Sequence, residues 1–182
     1  MKNVLITGMS GLIGGLLRDH LEQVGGCRLR ALNRRPVAGM ECVQADVADL
    51  DAILPAFEGI DTVVHLAAYL GGENWDGQLQ GNIIGAYNVY EAAWQAGVKR
   101  VVFASSGAAA TGVEREPPYD AITAGRYDEA PKDFRKITHE TVRPSGIYGA
   151  AKVWGEALGR HYSDAYGLSV LCVRIGRVND EN

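Results

Sequence analysis

Apolar positions along this chain come in two alternating arrangements. Short continuous runs of strand length are followed by longer segments in which apolar residues recur three and four apart. Val4–Thr7 is the first run, and Leu12–Val24 is the first helical period, stopped by Gly25-Gly26. Strands are predicted next at Arg28–Asn33 and Glu41–Gln44, with a short helix over Leu50–Phe57. Thr62–Leu66 is a further strand, Leu79–Ala96 a long helix closed by Gly97, and Val98–Ser105 a strand. Ile147–Tyr166 is a second long helix before Gly167, and Ser169–Arg174 is the last strand. This alternation predicts an α/β fold: a doubly wound parallel sheet with helices on both faces and right-handed crossovers. The pattern runs through residues 1–182 as one domain, without internal repeat or low-complexity linker.

One stretch breaks the rhythm. Residues 112–144 are polar, charged and rich in Pro and Gly, as in Glu114-Arg115-Glu116-Pro117-Pro118. A connection of this length inside a compact domain is either functional or a solvated surface excursion.

Composition narrows the partners. A net charge of -4 gives no reason to expect nucleic acid or an acidic membrane surface. No apolar run is long enough to span a bilayer, and Met1–Ile6 leads straight into a strand without the features of a signal peptide. Cys27, Cys42 and Cys172 are isolated, without metal-ligand or Cys-x-x-Cys spacing. They read as ordinary thiols of a cytoplasmic protein, and no metal site is expected.

Gly8, Gly11 and Gly14 fall directly after the first predicted strand and at the start of the first predicted helix. A tight strand-to-helix turn without Cβ atoms lets a pyrophosphate approach the backbone and meet the free N–H groups of the helix N-terminus. The spacing is Gly-x-x-Gly-x-x-Gly rather than Gly-x-Gly-x-x-Gly. The turn residues Gly8, Ser10, Gly11, Leu12, Ile13 and Gly14 are therefore expected to hold a dinucleotide. At the end of the second strand, a carboxylate would suit the ribose of NAD, but this chain has Asn33-Arg34-Arg35. Two guanidinium groups suit a 2′-phosphate, so NADP is the preferred cofactor and NAD remains possible. Asp46 and Val47 end the next strand, where the carboxylate could reach an adenine amino group or cap a helix.

Tyr148 and Lys152 stand four residues apart on a predicted helix and so share a face. A nearby ammonium should favour the phenolate, which makes Tyr148 a candidate general acid/base. Ser105-Ser106 close a predicted strand at the edge where ligands bind in such sheets. A hydroxyl there can donate to and accept from a substrate oxygen. His65 reads as a satisfied core histidine, and Arg174 could pair with a substrate anion or with a structural partner.

As a set, these stretches resemble the extended short-chain dehydrogenase/reductase family, the epimerase/dehydratase group. They are Thr7–Gly14, Asp61–Ala68, Gly81–Val89, Phe103–Ser106 and Tyr148–Lys152, in family order over nearly the whole chain. Gly81–Val89 and Val173-Arg174-Ile175-Gly176 look most like the uronate-dehydrogenase-like branch. The resemblance implies a Rossmann domain acting on a sugar or sugar nucleotide by hydride transfer, as a dehydrogenase or an epimerase. It implies Tyr148 as acid/base, Lys152 as its tuner and the ribose ligand, and Ser106 on the substrate oxygen. Leu66, Ala67 and Ala68 would line the cofactor, Asn82 would support the site from its helix, and the two long helices would pair in a homodimer. Gly107-Ala108 departs from the family, which has Asn and His there in the uronate branch and two acids in the dehydratases. Family members also continue past the sixth strand into a substrate lobe largely absent here. A cofactor-binding sensor or scaffold without catalysis is the alternative reading.

Overall fold

The computed structural model describes residues 1–179; residues 180–182 of the predicted domain lie outside it. The strands are β1 (Lys2–Thr7), β2 (Cys27–Asn33), β3 (Cys42–Gln44), β4 (Thr62–His65), β5 (Arg100–Ser106) and β6 (Ser169–Ile175). All neighbours pair in parallel, in the order β3-β2-β1-β4-β5-β6. The chain winds outward from β1 to β3 and then returns to the other side of β1 with β4. That reversal opens a crevice at the carboxyl ends of β1 and β4.

Side-chain alternation along each strand builds a core on both faces. Val4 and Ile6 of β1 pack with Leu29 and Ala31 of β2, covered by Leu17 and Leu21 of helix α1 (Leu12–Val24). Leu5 points the other way, towards Val63, Val101 and Phe103. Helices α4 (Gly85–Gln95) and α6 (Ile147–Tyr166) close that face through Val89, Tyr90, Leu158 and Tyr162. Burying a side chain of this size contributes about 1.5–3 kcal/mol, so these two layers supply most of the drive to fold.

Several boundaries differ from the periodic reading. The segment Leu50–Phe57 is two pieces: α2 (Leu50–Ile53), capped by Asp49, and a 3₁₀ turn at Leu54–Phe57 with Pro55 near its start. The long helix expected at Leu79–Ala96 begins earlier, with α3 (Trp75–Gln78). Asn74 caps it by accepting from Gly77 N at 2.9 Å. The run then passes through a wider π-helical stretch, Leu79–Ile84, before α4. Gly77 and Gly81 hide the apolar period there, while the Asn74 cap was the readable signal. The 112–144 excursion is not featureless. It carries α5 (Tyr119–Thr123); Gly112 N to Arg143 O joins its two ends, and Arg143 N to Ala109 O and Ser145 N to Ala108 O tie its return to the body. No helix among the described residues is long and apolar enough to cross a membrane.

Candidate active site

A cleft of about 900 Å³ lies along the carboxyl edge of the sheet. One end is the turn between β1 and α1, where Gly8, Ser10, Gly11, Leu12, Ile13 and Gly14 line the wall. Gly8 has φ +72°, and a Cβ on it would stand 2.8 Å from Ala67 N. A Cβ on Gly14 would stand 2.6 Å from Gly8 O and from Met9 Cα. Both contacts are with backbone, so this cradle exists only with glycine at both positions. Its open N–H groups at the start of α1 fit an anionic pyrophosphate.

The end of β2 supplies the next part of the wall with Asn33, Arg34 and Arg35. Asn33 Nδ2 donates to Ser10 Oγ at 2.9 Å and to Arg35 O at 3.1 Å, which ties the strand tip to the glycine turn. Arg34 and Arg35 are exposed, and neither has a carboxylate partner among the described ion pairs. Asp46 and Val47 line the cleft beyond them. Asp46 accepts from Ala48 N at 3.0 Å in a turn, whereas the cap of α2 is Asp49.

Leu66, Ala67 and Ala68 form the wall at the end of β4. Thr7 Oγ1 accepts from Ala67 N at 3.0 Å and bonds His65 Nδ1 at 2.7 Å. His65 is buried, and that burial, with the Lys152 ammonium adding to it, pushes its pKa down to about 3. It is a neutral core histidine, as its place in the sequence suggested. Asn82 does not line the cleft. Its side chain accepts from Tyr69 N at 2.8 Å and donates to Tyr69 O at 2.9 Å, so it acts behind the wall.

Ser106, Tyr148 and Lys152 meet at the far end of the same cleft. Ser106 Oγ accepts from Ala108 N at 3.1 Å, which fixes the hydroxyl at the end of β5. Lys152 is 3% exposed, and its Nζ donates to Ala104 O at 2.9 Å. Burial lowers its pKa to about 8. The ammonium stands 5.5 Å from the centre of the Tyr148 ring. Here one expectation needs correction. Burial raises the Tyr148 phenol above its ordinary value, and the hydrogen bond with Ser106, not the ammonium, pulls against that rise. The neutral phenol is the resting form, poised to donate a proton before it can accept one.

Sequence reasoning missed other parts of the wall. Tyr69, Leu70, Asp76 and Gln80 line the cleft from the segment after β4, and Ile175, Gly176 and Val178 line it after β6. Asp76 and Gln80 are four apart on the helical run that Asn74 starts, so an earlier start for that helix would have paired them. Arg174 is turned to structure: its Nε and Nη2 grip the two carboxylate oxygens of Glu156 at 2.8 and 2.7 Å.

The NAD dependent epimerase/dehydratase family model matches residues 4–179. The L-arabinose 1-dehydrogenase (NAD(P)(+)) of Haloferax volcanii is 38% identical over 97% of this chain and 67% of its own length. The uronate dehydrogenase of Agrobacterium fabrum is 38% identical over 100% of this chain and 63% of its own length. Among solved structures, a mutant uronate dehydrogenase from Agrobacterium tumefaciens complexed with NAD superposes with a TM-score of 0.75 at 35% identity. That match covers 93% of this chain and 59% of the other. The chain thus spans about two thirds or less of the length of these relatives. It belongs to the NAD-dependent epimerase/dehydratase family of extended short-chain dehydrogenase/reductases, in the uronate-dehydrogenase-like branch.

Proposed function

We propose that this chain is the cofactor-binding and proton-transferring part of an NAD(P)-dependent dehydrogenase that oxidises a free sugar at a ring carbinol. The observation that carries the reading is one cleft with a glycine cradle at one end and Ser106, Tyr148 and Lys152 at the other. The cradle fits a dinucleotide, held by the Gly8–Gly14 turn, Asn33 and the Leu66–Ala68 wall. When bound, the nicotinamide cofactor supplies the hydride acceptor. In reduction the Tyr148 phenol gives its proton to the sugar oxygen; in oxidation the phenolate, formed once that proton has passed to solvent, takes the proton of the sugar hydroxyl. Ser106 Oγ holds the same oxygen, and Lys152 Nζ, anchored on Ala104 O, orients the ribose and steadies the charge on Tyr148. The apolar Leu66–Ala68 wall keeps water from the reacting carbon.

NADP is the favoured cofactor, supported by Arg34 and Arg35 at the tip of β2 and by the lack of an acid there. A homodimer through α4 and α6 is proposed from the exposed aromatics Tyr87 and Trp94 on one helix and Trp154 and Tyr166 on the other. The free cysteines suit a cytoplasmic setting.

The test is a screen of free aldoses and uronates with NAD⁺ and NADP⁺, following the absorbance of reduced nicotinamide. Turnover in the native chain and its loss in Tyr148→Phe, with cofactor binding kept, is expected. A Tyr148→Phe protein that turns over as fast as the native one would overturn the mechanism. Cofactor binding without turnover of any sugar would favour a sensor instead.

A further inference from the structure

The carboxylate of Glu156 sits at the centre of a network that the reaction outlined above does not use. Tyr148, Lys152 and Glu156 are spaced four apart on α6, so one helical face presents all three to the end of β5. Two of them bond successive residues of that strand: Lys152 Nζ donates to Ala104 O, and Ser105 Oγ donates to Glu156 Oε1 at 2.5 Å. Tyr148 lines the same cleft as Ser106, the next residue of the strand. Glu156 is itself held from the neighbouring strand. Arg174 lies beside Ser105 in the β5–β6 register and grips both carboxylate oxygens. Its remaining arm, Nη1, donates to Thr141 O at 2.7 Å, which fastens the 112–144 excursion to the same point.

The side chains of Glu156 and Arg174 are only 17% and 19% exposed. A pair this far from water gives little net stability, because desolvation offsets most of the attraction, and an apolar pair of similar volume would hold the elements as well. Two-point geometry is what an apolar pair lacks. Here that geometry is applied one residue before Ser106.

We propose that Glu156 is a positioning residue: clamped by Arg174, it holds Ser105 and thereby sets the Ser106 hydroxyl against Tyr148. This inference rests on the reading of Ser106 and Tyr148 as the substrate-facing pair. Glu156 is not among the residues that line the cleft, so it acts through the strand.

The experiment uses protein labelled with 3-fluorotyrosine, in which the Tyr148 ¹⁹F line is assigned by its loss in Tyr148→Phe. Ser105→Ala breaks the link but leaves the Glu156–Arg174 pair whole; Glu156→Gln breaks the clamp. Both should move the Tyr148 line at neutral pH while the line of Tyr166, at the far end of α6, stays in place. Both should lower kcat by about tenfold or more, with KM for the sugar little changed, because a small misplacement of a reacting group is costly. Ser105→Thr, which keeps the hydroxyl, should restore the native line. A Tyr148 line unmoved in Ser105→Ala would overturn the proposal, even if Glu156→Gln melts early, since Glu156 would then serve stability alone. The ¹⁹F arm needs no turnover. A native chain that oxidises no sugar would therefore refute the dehydrogenase reading and leave the positioning result standing.

Discussion

The side chain of Asn82 closes on both backbone groups of Tyr69, accepting from its N–H at 2.8 Å and donating to its carbonyl at 2.9 Å. Asn82 is 4% exposed and is itself held by Gln78, whose Oε1 accepts at 2.5 Å. An amide can pair with a peptide group in this two-point way because it carries one donor and one acceptor side by side. The segment after β4, which forms part of the cleft wall, is thereby fixed to the helix behind it. Replacing Asn82 with Ala leaves the peptide groups without partners. The loss should be about 1–3 kcal/mol for each group left unpaired, read from the urea midpoint. Asn82→Asp should also destabilise, since a carboxylate cannot donate to Tyr69 O. Equal stability of Asn82→Ala and the native chain would mean that the clamp does not form.

Gly14→Ala tests the cradle. The added Cβ meets backbone of Gly8 and Met9 at 2.6 Å, with no flexible side chain to give way. Overpacking of this kind costs about 1–3 kcal/mol, and the turn must open to accept it. Cofactor affinity should fall more than stability does. A nicotinamide fluorescence titration beside a thermal melt checks both, and unchanged binding would remove the turn from the cofactor site.

Arg34 and Arg35 are the test of the NADP proposal. Changing both to Ala should weaken NADPH binding by about tenfold or more, because a hydrogen bond to a charged group contributes about 1.5–3 kcal/mol. NADH binding should change little. Equal losses for both cofactors would show that the arginines act as general surface charge. The NADPH effect should also shrink as salt is raised.

His65 makes stability depend on pH in a defined window. Its pKa is 6.5 as a free side chain and about 3 when folded, because burial disfavours the imidazolium. Between those values the unfolded chain binds the proton and the folded chain does not. Stability from this group is complete above pH 6.5 and is lost as the pH falls towards 3, at up to about 1.4 kcal/mol per pH unit. Glu156 adds the same sign at lower pH. Burial alone would raise its pKa, but the bonds from Arg174 and Ser105 outweigh that and hold it below the carboxylate range. His65→Gln should flatten the stability curve between pH 6 and 4, measured by urea unfolding at each pH. An unchanged slope would assign the acid sensitivity to carboxylates alone.

The alternation of strand-length runs with helical periods specified the parallel α/β fold and helices on both faces, because burial on a sheet or a helix repeats at short, regular spacing. The same local logic reached Gly8, Gly11 and Gly14, which fall where β1 turns into α1, and Tyr148 with Lys152, which four-residue spacing places on one face of α6. Contacts between distant segments were another matter. Asn82 faces Tyr69 rather than the cleft because a buried amide binds the nearest unpaired peptide, and helical spacing does not record which peptide that is. Arg174 faces Glu156 because β6 lies in register with β5 beneath α6, a relationship that only the assembled sheet creates. The direction of the Tyr148 shift reversed for the same reason: the neighbouring lysine is legible in the sequence, whereas the depth at which the fold buries the phenol is set by everything packed around it.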